Sequence, residues 1–401
     1  MSTEGRSAEP ASATSVLESA GFVRLIARAD GDAIAASGLL ANALDDRETP
    51  FQVTVGRTVT ERSERARAPT TDGDVTVVVG AADAAADGEH VFELEATDRP
   101  AALEAIDLVR ELGATPDPVL ALAGVVAGGS DPGAGETEWL LETARERGLL
   151  ERRPGVAVPT ADLVDGLAHS TRLRTPWSGD PDATREALSG VDTGDPDALD
   201  ADDHRAIGSL VALDTVGADE ATDAAAETIG RALRPYATPA SPFATLGGFA
   251  DVLEALARTD PGTGTALVLG HDLREPALDA WRERGRRAHA ALEGASTGRY
   301  DGLFVVGIDD GPVEAVAAIA AAYRSPEPAV LTVGNGEAAI ATREPEPLGA
   351  TVEGIARDLE GADTDADGTA VEYDIGRRRG YLRYDGDVDD SAIIAAARDL
   401  L

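Results

Sequence analysis

At 401 residues the chain has room for two or three domains with buried cores. Its 35 basic residues, all arginine, stand against 73 acidic ones, a net charge of −38. Cysteine is absent, which excludes a disulfide framework, a thiolate nucleophile and a cysteine-based zinc site. No apolar run reaches the length of a membrane span, and residues 1–15 lack the regions of a signal peptide. The expectation is a cytoplasmic protein with a flexible tail over 1–20. The acidic, lysine-free, aromatic-poor balance fits an extreme halophile, so the charge reports solvent more than partner. It does not exclude nucleic acid, because concentrated salt screens repulsion.

The first strand is predicted over 23–26, followed by Asp30, Gly31 and Asp32 and then a helix carrying Ile34, Leu39, Leu40 and Leu44. In an open α/β sheet the carboxyl end of a strand is where ligands bind. Two carboxylates spaced D-x-D there suit a hard divalent cation. They equally suit the turn and cap of the following helix. Further strands are predicted over 51–55, 75–79 and 91–94, with helices starting near Pro100 and Pro118. Another helix is predicted over 136–147, and one from Thr160, as N-cap, to His169. The stretch 178–203, rich in Gly, Pro and Asp, leaves the first domain. Helical patterns fill 203–292. From Tyr300 strands and helices alternate again: strand, the helix 313–323, two strands, a helix over 352–359, β structure over 369–384 and a closing helix. The fold class is therefore α/β: a mostly parallel sheet over 21–190, a helical connector over 191–299 and a smaller α/β domain over 300–401.

Residues 363–368 match the start of a calcium loop with Asp374 at the twelfth position, but Glu is expected there and no flanking helix pair is clear. An acidic loop before a strand is the better reading. The five histidines are scattered without metal spacing, and neither a P-loop nor a GxGxxG fingerprint occurs. Two arginine groups stand out. Arg282, Arg284, Arg286 and Arg287 lie on a predicted helix, where pairing with nearby carboxylates is the plain reading. Arg377, Arg378 and Arg379 are three consecutive cations in a chain where positive charge is scarce, and arginine suits bidentate phosphate contact.

Residues 28–34 (RADGDAI) match the opening motif of the DHH/DHHA1 phosphoesterase superfamily. Residues 163–182 and 242–258 look like its later segments, and the strand ending in Arg343 looks like the core of its DHHA1 domain. In that order the motifs make the chain resemble the archaeal RecJ-like, GINS-associated branch. The resemblance implies a DHH domain, a connector and a DHHA1-like domain. It also implies a manganese-dependent nuclease whose carboxylates and histidines hold two metals. The chain departs from the pattern at the ligands. Arg28 stands where the family has His, and no carboxylate closes the strand near 78–80. Residues 95–100 (EATDRP) replace the Asp-His-His, and Gly129 replaces the fourth-motif Asp, with Asp131 two residues away.

The expectation is a degenerate member in which Asp30 and Asp32 are a remnant and weak metal candidates. Nothing is catalytic and no cofactor is needed, manganese being the cofactor if the chain were active. By the same resemblance Arg343, Arg377, Arg378 and Arg379 contact single-stranded nucleic acid. The implied role is a non-catalytic subunit in DNA replication or repair, bound to an active RecJ-like paralogue or to GINS and through it the MCM helicase. The alternatives are an active manganese-dependent 5′→3′ single-strand exonuclease or a small phosphoester hydrolase. The apolar stretches 313–323 and 243–256 are either contact surface or core.

Overall fold

β-branched and apolar runs form the strands of a four-stranded sheet: β1 (Phe22–Arg28), β2 (Phe51–Gly56), β3 (Asp74–Val79) and β4 (Val91–Leu94). Their order is β2-β1-β3-β4 and every pair is parallel. Arg28 lies opposite Gly56, and Ala27 opposite Val79, so β1, β2 and β3 end level with one another. The structure, a computed structural model, describes residues 10–83, 90–94, 98–191, 193, 199–346, 348–362, 371–384 and 388–401. The calcium-like run 363–368 and residues 95–97 of the expected Asp-His-His lie outside the described residues, as do 1–9 of the expected tail.

The chain divides into two packed units, one of Met1–Leu150 with Val252–Ala277, the other of Glu151–Asp251 with Leu278–Leu401. The first unit holds the parallel sheet with α1 (Pro10–Glu18), α2 (Gly31–Asp46), α3 (Val59–Arg67), α4 (Ala101–Glu111), α5 (Pro118–Ala127) and α6 (Glu138–Glu146). α2 packs on β1 and is flanked by α4 and α5, so it is buried at almost every position. α5 is apolar all round and wholly buried, as such a helix must be.

The chain continues through β5 (Glu151–Arg152), α7 (Leu163–His169), α8 (Pro181–Ala187), α9 (Ala201–Gly217), α10 (Asp223–Ala232), β6 (Tyr236–Ala237) and α11 (Leu246–Thr259). α12 (Pro261–Val268) returns to the first unit against α2, and α13 (Arg274–Glu293) leads on. The N-cap of α7 is Asp162 rather than Thr160, because the Asp162 carboxylate accepts the Val164 and Asp165 N–H groups while the Thr160 hydroxyl donates to the Asp162 carbonyl. α8 forms within the Gly-, Pro- and Asp-rich stretch 178–203, nucleated by Asp180 as cap and Pro181 at its first position.

The second sheet runs β11-β12-β10-β9-β8-β7 and is antiparallel except for β8 and β9. Its strands are β7 (Ser296–Tyr300), β8 (Leu303–Gly307), β9 (Ala329–Gly334), β10 (Glu337–Thr342), β11 (Glu372–Gly376) and β12 (Arg379–Arg383). The helices with them are α14 (Val313–Tyr323), α15 (Gly349–Ala362) and α16 (Asp390–Leu400). Side chains alternate between its faces. Val305, Leu331, Ile340 and Leu382 pack with α15 and α16, while Val306, Val330, Ala339 and Tyr381 pack with α14. α14 also meets Ala225 of α10 and Ala288 and Leu292 of α13, so both its sides are covered. Phe243, Leu246, Phe249, Leu253 and Leu256 are buried as well. The stretches 313–323 and 243–256 are therefore core, and the reading of either as contact surface falls. No helix among the described residues is long and apolar enough to cross a membrane.

Candidate functional site

The D-x-D pair sits where β1 hands over to α2. Asp30 is the N-cap of α2: its backbone is extended and its Oδ1 accepts the Ala33 N–H at 2.8 Å. Its Oδ2 is paired with Arg28 Nε, and both side chains are buried. Asp32, in the first turn of α2, reaches across to the next helix. Its Oδ2 accepts the Ala101 N–H at 2.6 Å and its Oδ1 the Ala102 N–H at 2.9 Å. α4 begins at Pro100 without a capping side chain of its own, so a carboxylate from α2 caps it instead. Burial, and then the neighbouring Asp30, push the Asp32 carboxyl up to about 7, against the pull of the two N–H groups and Arg28.

Glycines shape the space around these groups. Gly80, at φ +109°, closes β3 beside Arg28; a Cβ there would lie 2.9 Å from the Arg28 Cβ. A Cβ on Gly128 would come 3.0 Å from Asp32 Oδ2, and one on Gly31 would come 2.8 Å from the Glu254 backbone nitrogen. The Gly31 N–H donates to Glu254 Oε2 at 2.9 Å. Gly129 has φ +79° just past the end of α5, and Asp131 beyond it is exposed.

A metal pair needs several carboxylates and histidines with oxygens or nitrogens to spare. Asp30 divides its oxygens between Ala33 and Arg28, and Asp32 divides its own between Ala101 and Ala102. Among the described residues no three His, Cys, Asp or Glu side chains gather where they could hold a metal ion. The residues at the D-x-D motif do not fit a two-metal centre.

The arginines singled out in the sequence do come together. Arg377 and Arg378 form the turn between β11 and β12, and Arg379 opens β12 opposite Ala341. The Thr342 N–H donates to the Arg378 carbonyl at 2.9 Å and the Glu346 N–H to the Arg377 carbonyl at 3.2 Å. Arg343, the residue after Thr342, is thus carried to the hairpin turn at one end of the six-stranded sheet. All four side chains are partly exposed. Arg299 and Glu327 pair at the same end at 2.6 Å, and that bond, with Arg343 adding to it, holds the Glu327 carboxyl below its usual range. The arginines of α13 are held within the chain. Arg282 bonds Asp165 and Asp279, Arg286 bonds Glu283, Arg287 bonds Asp310, and Arg284 is buried.

Sequence reasoning did not find a buried polar cluster in the second unit. The Asp251 carboxylate accepts from the Ser170 hydroxyl at 2.8 Å, the Thr171 hydroxyl at 2.6 Å and the Trp281 indole N–H at 2.9 Å. His289 Nε2 donates to the Ser170 carbonyl at 2.9 Å, and its Nδ1 accepts from Arg174 at 3.2 Å. The Arg174 contact requires a neutral ring, since Nδ1 can accept only when it carries no proton. Burial, and then Arg174, push its pKa down to about 3. Ser, His and Asp meet here without forming a nucleophilic triad, since the Ser170 hydroxyl turns to the carboxylate and the ring bonds the Ser170 carbonyl and Arg174 instead of that hydroxyl. The cluster anchors the segment 170–178. Asp374 is buried in β11 opposite Tyr381, a strand position rather than a calcium-loop position.

The fold is shared with CDC45 from Entamoeba histolytica, at a TM-score of 0.58 over 97% of each chain and 8% identity. RecJ from Thermus thermophilus, in complex with Mn2+, aligns at a TM-score of 0.46 and 15% identity over 97% of this chain and 54% of that one, so the chain spans about half its length. By fold, then, the chain is of the class of CDC45. Uncharacterized protein rrnAC1427 of Haloarcula marismortui is 45% identical over 376 residues, covering 92% of this chain and 94% of that one. The family model for the C-terminal domain of rrnAC1427 matches residues 295–399, the span of the six-stranded sheet and its helices. The chain belongs to the rrnAC1427 family.

Proposed function

We propose that this protein is a non-catalytic DHH-fold subunit of a DNA replication or repair assembly. It acts through contact with a RecJ-like paralogue that keeps its metal ligands, or with GINS and through it the MCM helicase. The observation that carries this reading is the use of the D-x-D oxygens: all four are engaged in holding β1, α2 and α4 together. Likeness of fold to CDC45 supports it. The arginines Arg343, Arg377, Arg378 and Arg379 are suited to a passing phosphate backbone, and single-stranded nucleic acid is the ligand proposed for them.

Size-exclusion chromatography with light scattering, on mixtures with each candidate partner across a salt series, tests the association. A stable complex with at least one candidate is expected, and its salt series separates an apolar contact, which strengthens in molar salt, from an ionic one, which is screened. Elution as separate species with every candidate at all salt levels would overturn the proposal.

A further inference from the structure

We propose that the cavity beside the C-terminal ends of α2, α4 and α6 binds a small aliphatic zwitterion, of the class of the free α-amino acids with branched aliphatic side chains. This goes beyond any role in an assembly and rests on the first unit alone.

The cavity holds about 310 Å3, at the small end of the range for ligand pockets, about 300–1,000 Å3. Its floor is apolar: Leu39 and Ala43 of α2 and Val109 of α4, all buried. Pro116 and Pro118 also line it, and their fixed φ holds the segment 115–118 in shape before any ligand arrives. Above this floor stand charges of both signs. Asp46, the last residue of α2, and Arg147, the residue after α6, both line the cavity and are both exposed. They do not pair with each other, and among the described residues neither side chain has another hydrogen-bond or ion-pair partner. Asp46 sits at the negative end of the α2 dipole, where an ammonium group is favoured. Asp117 caps α5 with Oδ1 alone, which accepts the Val119 and Leu120 N–H groups and leaves Oδ2 as a second acceptor. Opposite charges that line one cavity without meeting suit a molecule that carries both. Its ammonium goes to Asp46 and Asp117 and its carboxylate to Arg147, whose planar donors match a carboxylate. Its aliphatic side chain covers the apolar floor. A simple anion would be opposed by the two carboxylates, and a simple cation by Arg147.

Calorimetric titration and thermal melting of the full-length protein in molar potassium chloride test the proposal, with leucine, isoleucine and valine as probes. Isoamylamine and isocaproate carry the body of leucine with one charge each, and glycine carries both charges without the body. One site per chain is expected, with a Kd below about 1 mM for at least one of the three amino acids and a higher melting temperature at saturation. The amine, the acid and glycine are each expected to bind about tenfold or more weakly, because each leaves part of the cavity unmatched. Asp46→Asn and Arg147→Gln are expected to melt as the unaltered protein does, since both side chains are exposed and unbonded. Each is expected to weaken the amino acid about tenfold or more. Arg147→Gln is also expected to strengthen isoamylamine, having lost the cation that opposes it. No saturable heat from any of the three amino acids would overturn the proposal. So would an amine or acid that binds as tightly as the amino acid, or binding that both variants leave unchanged. None of these readouts involves nucleic acid or a protein partner, so failure here is distinct from failure of the association experiment.

Discussion

Asp32 is the side chain at which α2 takes hold of α4, and it does so from a position that costs charge burial. Asp32→Ala leaves the Ala101 and Ala102 N–H groups without acceptors. It is expected to lower stability by about 1–3 kcal/mol, read as a drop in urea midpoint at constant slope. Asp32→Asn keeps an acceptor and is expected to lose less. His289 gives a pH signature. Its ordinary pKa of 6.5 falls to about 3 in the folded chain, so the unfolded chain binds the extra proton between these values. The stability it contributes is complete above pH 6.5 and is lost on acidification towards pH 3, at about 1.4 kcal/mol per pH unit. The slope of melting temperature against pH in that window is expected to flatten in His289→Gln, which keeps a donor for the Ser170 carbonyl. The sequence made the capping role of Asp30 legible, since a D-x-D before an apolar helix is a capping pattern. The partner of Asp32 was not legible, because capping of α4 by a residue some seventy positions earlier is a tertiary contact. The one available sign was the start of α4 at Pro100-Ala101-Ala102, which offers no capping side chain.

Among the elements, α13 shows how close packing hangs on single glycines. A Cβ on Gly285 would lie 1.8 Å from the His169 carbonyl oxygen, and one on Gly248 of α11 would lie 2.2 Å from the Pro159 nitrogen. The obstacles are backbone, so Gly285→Ala is expected to cost about 3 kcal/mol or more, measured by equilibrium unfolding. α14 is the element whose place the sequence left open. Its apolar residues repeat on every side, and periodicity does not distinguish a buried helix from one that awaits a partner. The answer came from the sheet on one side and α10 and α13 on the other. Ile319→Ala is accordingly expected to cost about 2–5 kcal/mol, as at any well-packed core site. The strands were the most legible elements because their β-branched runs are short and bounded, while α8 was hidden in a Pro- and Asp-rich stretch that supplied its cap.

For the whole molecule, a net charge of −38 makes any basic surface conspicuous. The end of the six-stranded sheet with Arg343, Arg377, Arg378 and Arg379 is where single-stranded DNA is expected to lie. Replacing Arg377 and Arg378 together by Ala should weaken that binding and reduce its dependence on salt, as measured by fluorescence anisotropy. The account as a whole turns on the D-x-D motif holding structure together rather than metal. Its most direct test is cleavage of end-labelled single-stranded DNA by the purified full-length protein with manganese in molar salt, with Asp30→Ala alongside. The account predicts no cleavage above background from either protein. Cleavage by the unaltered protein that vanishes in Asp30→Ala would contradict it.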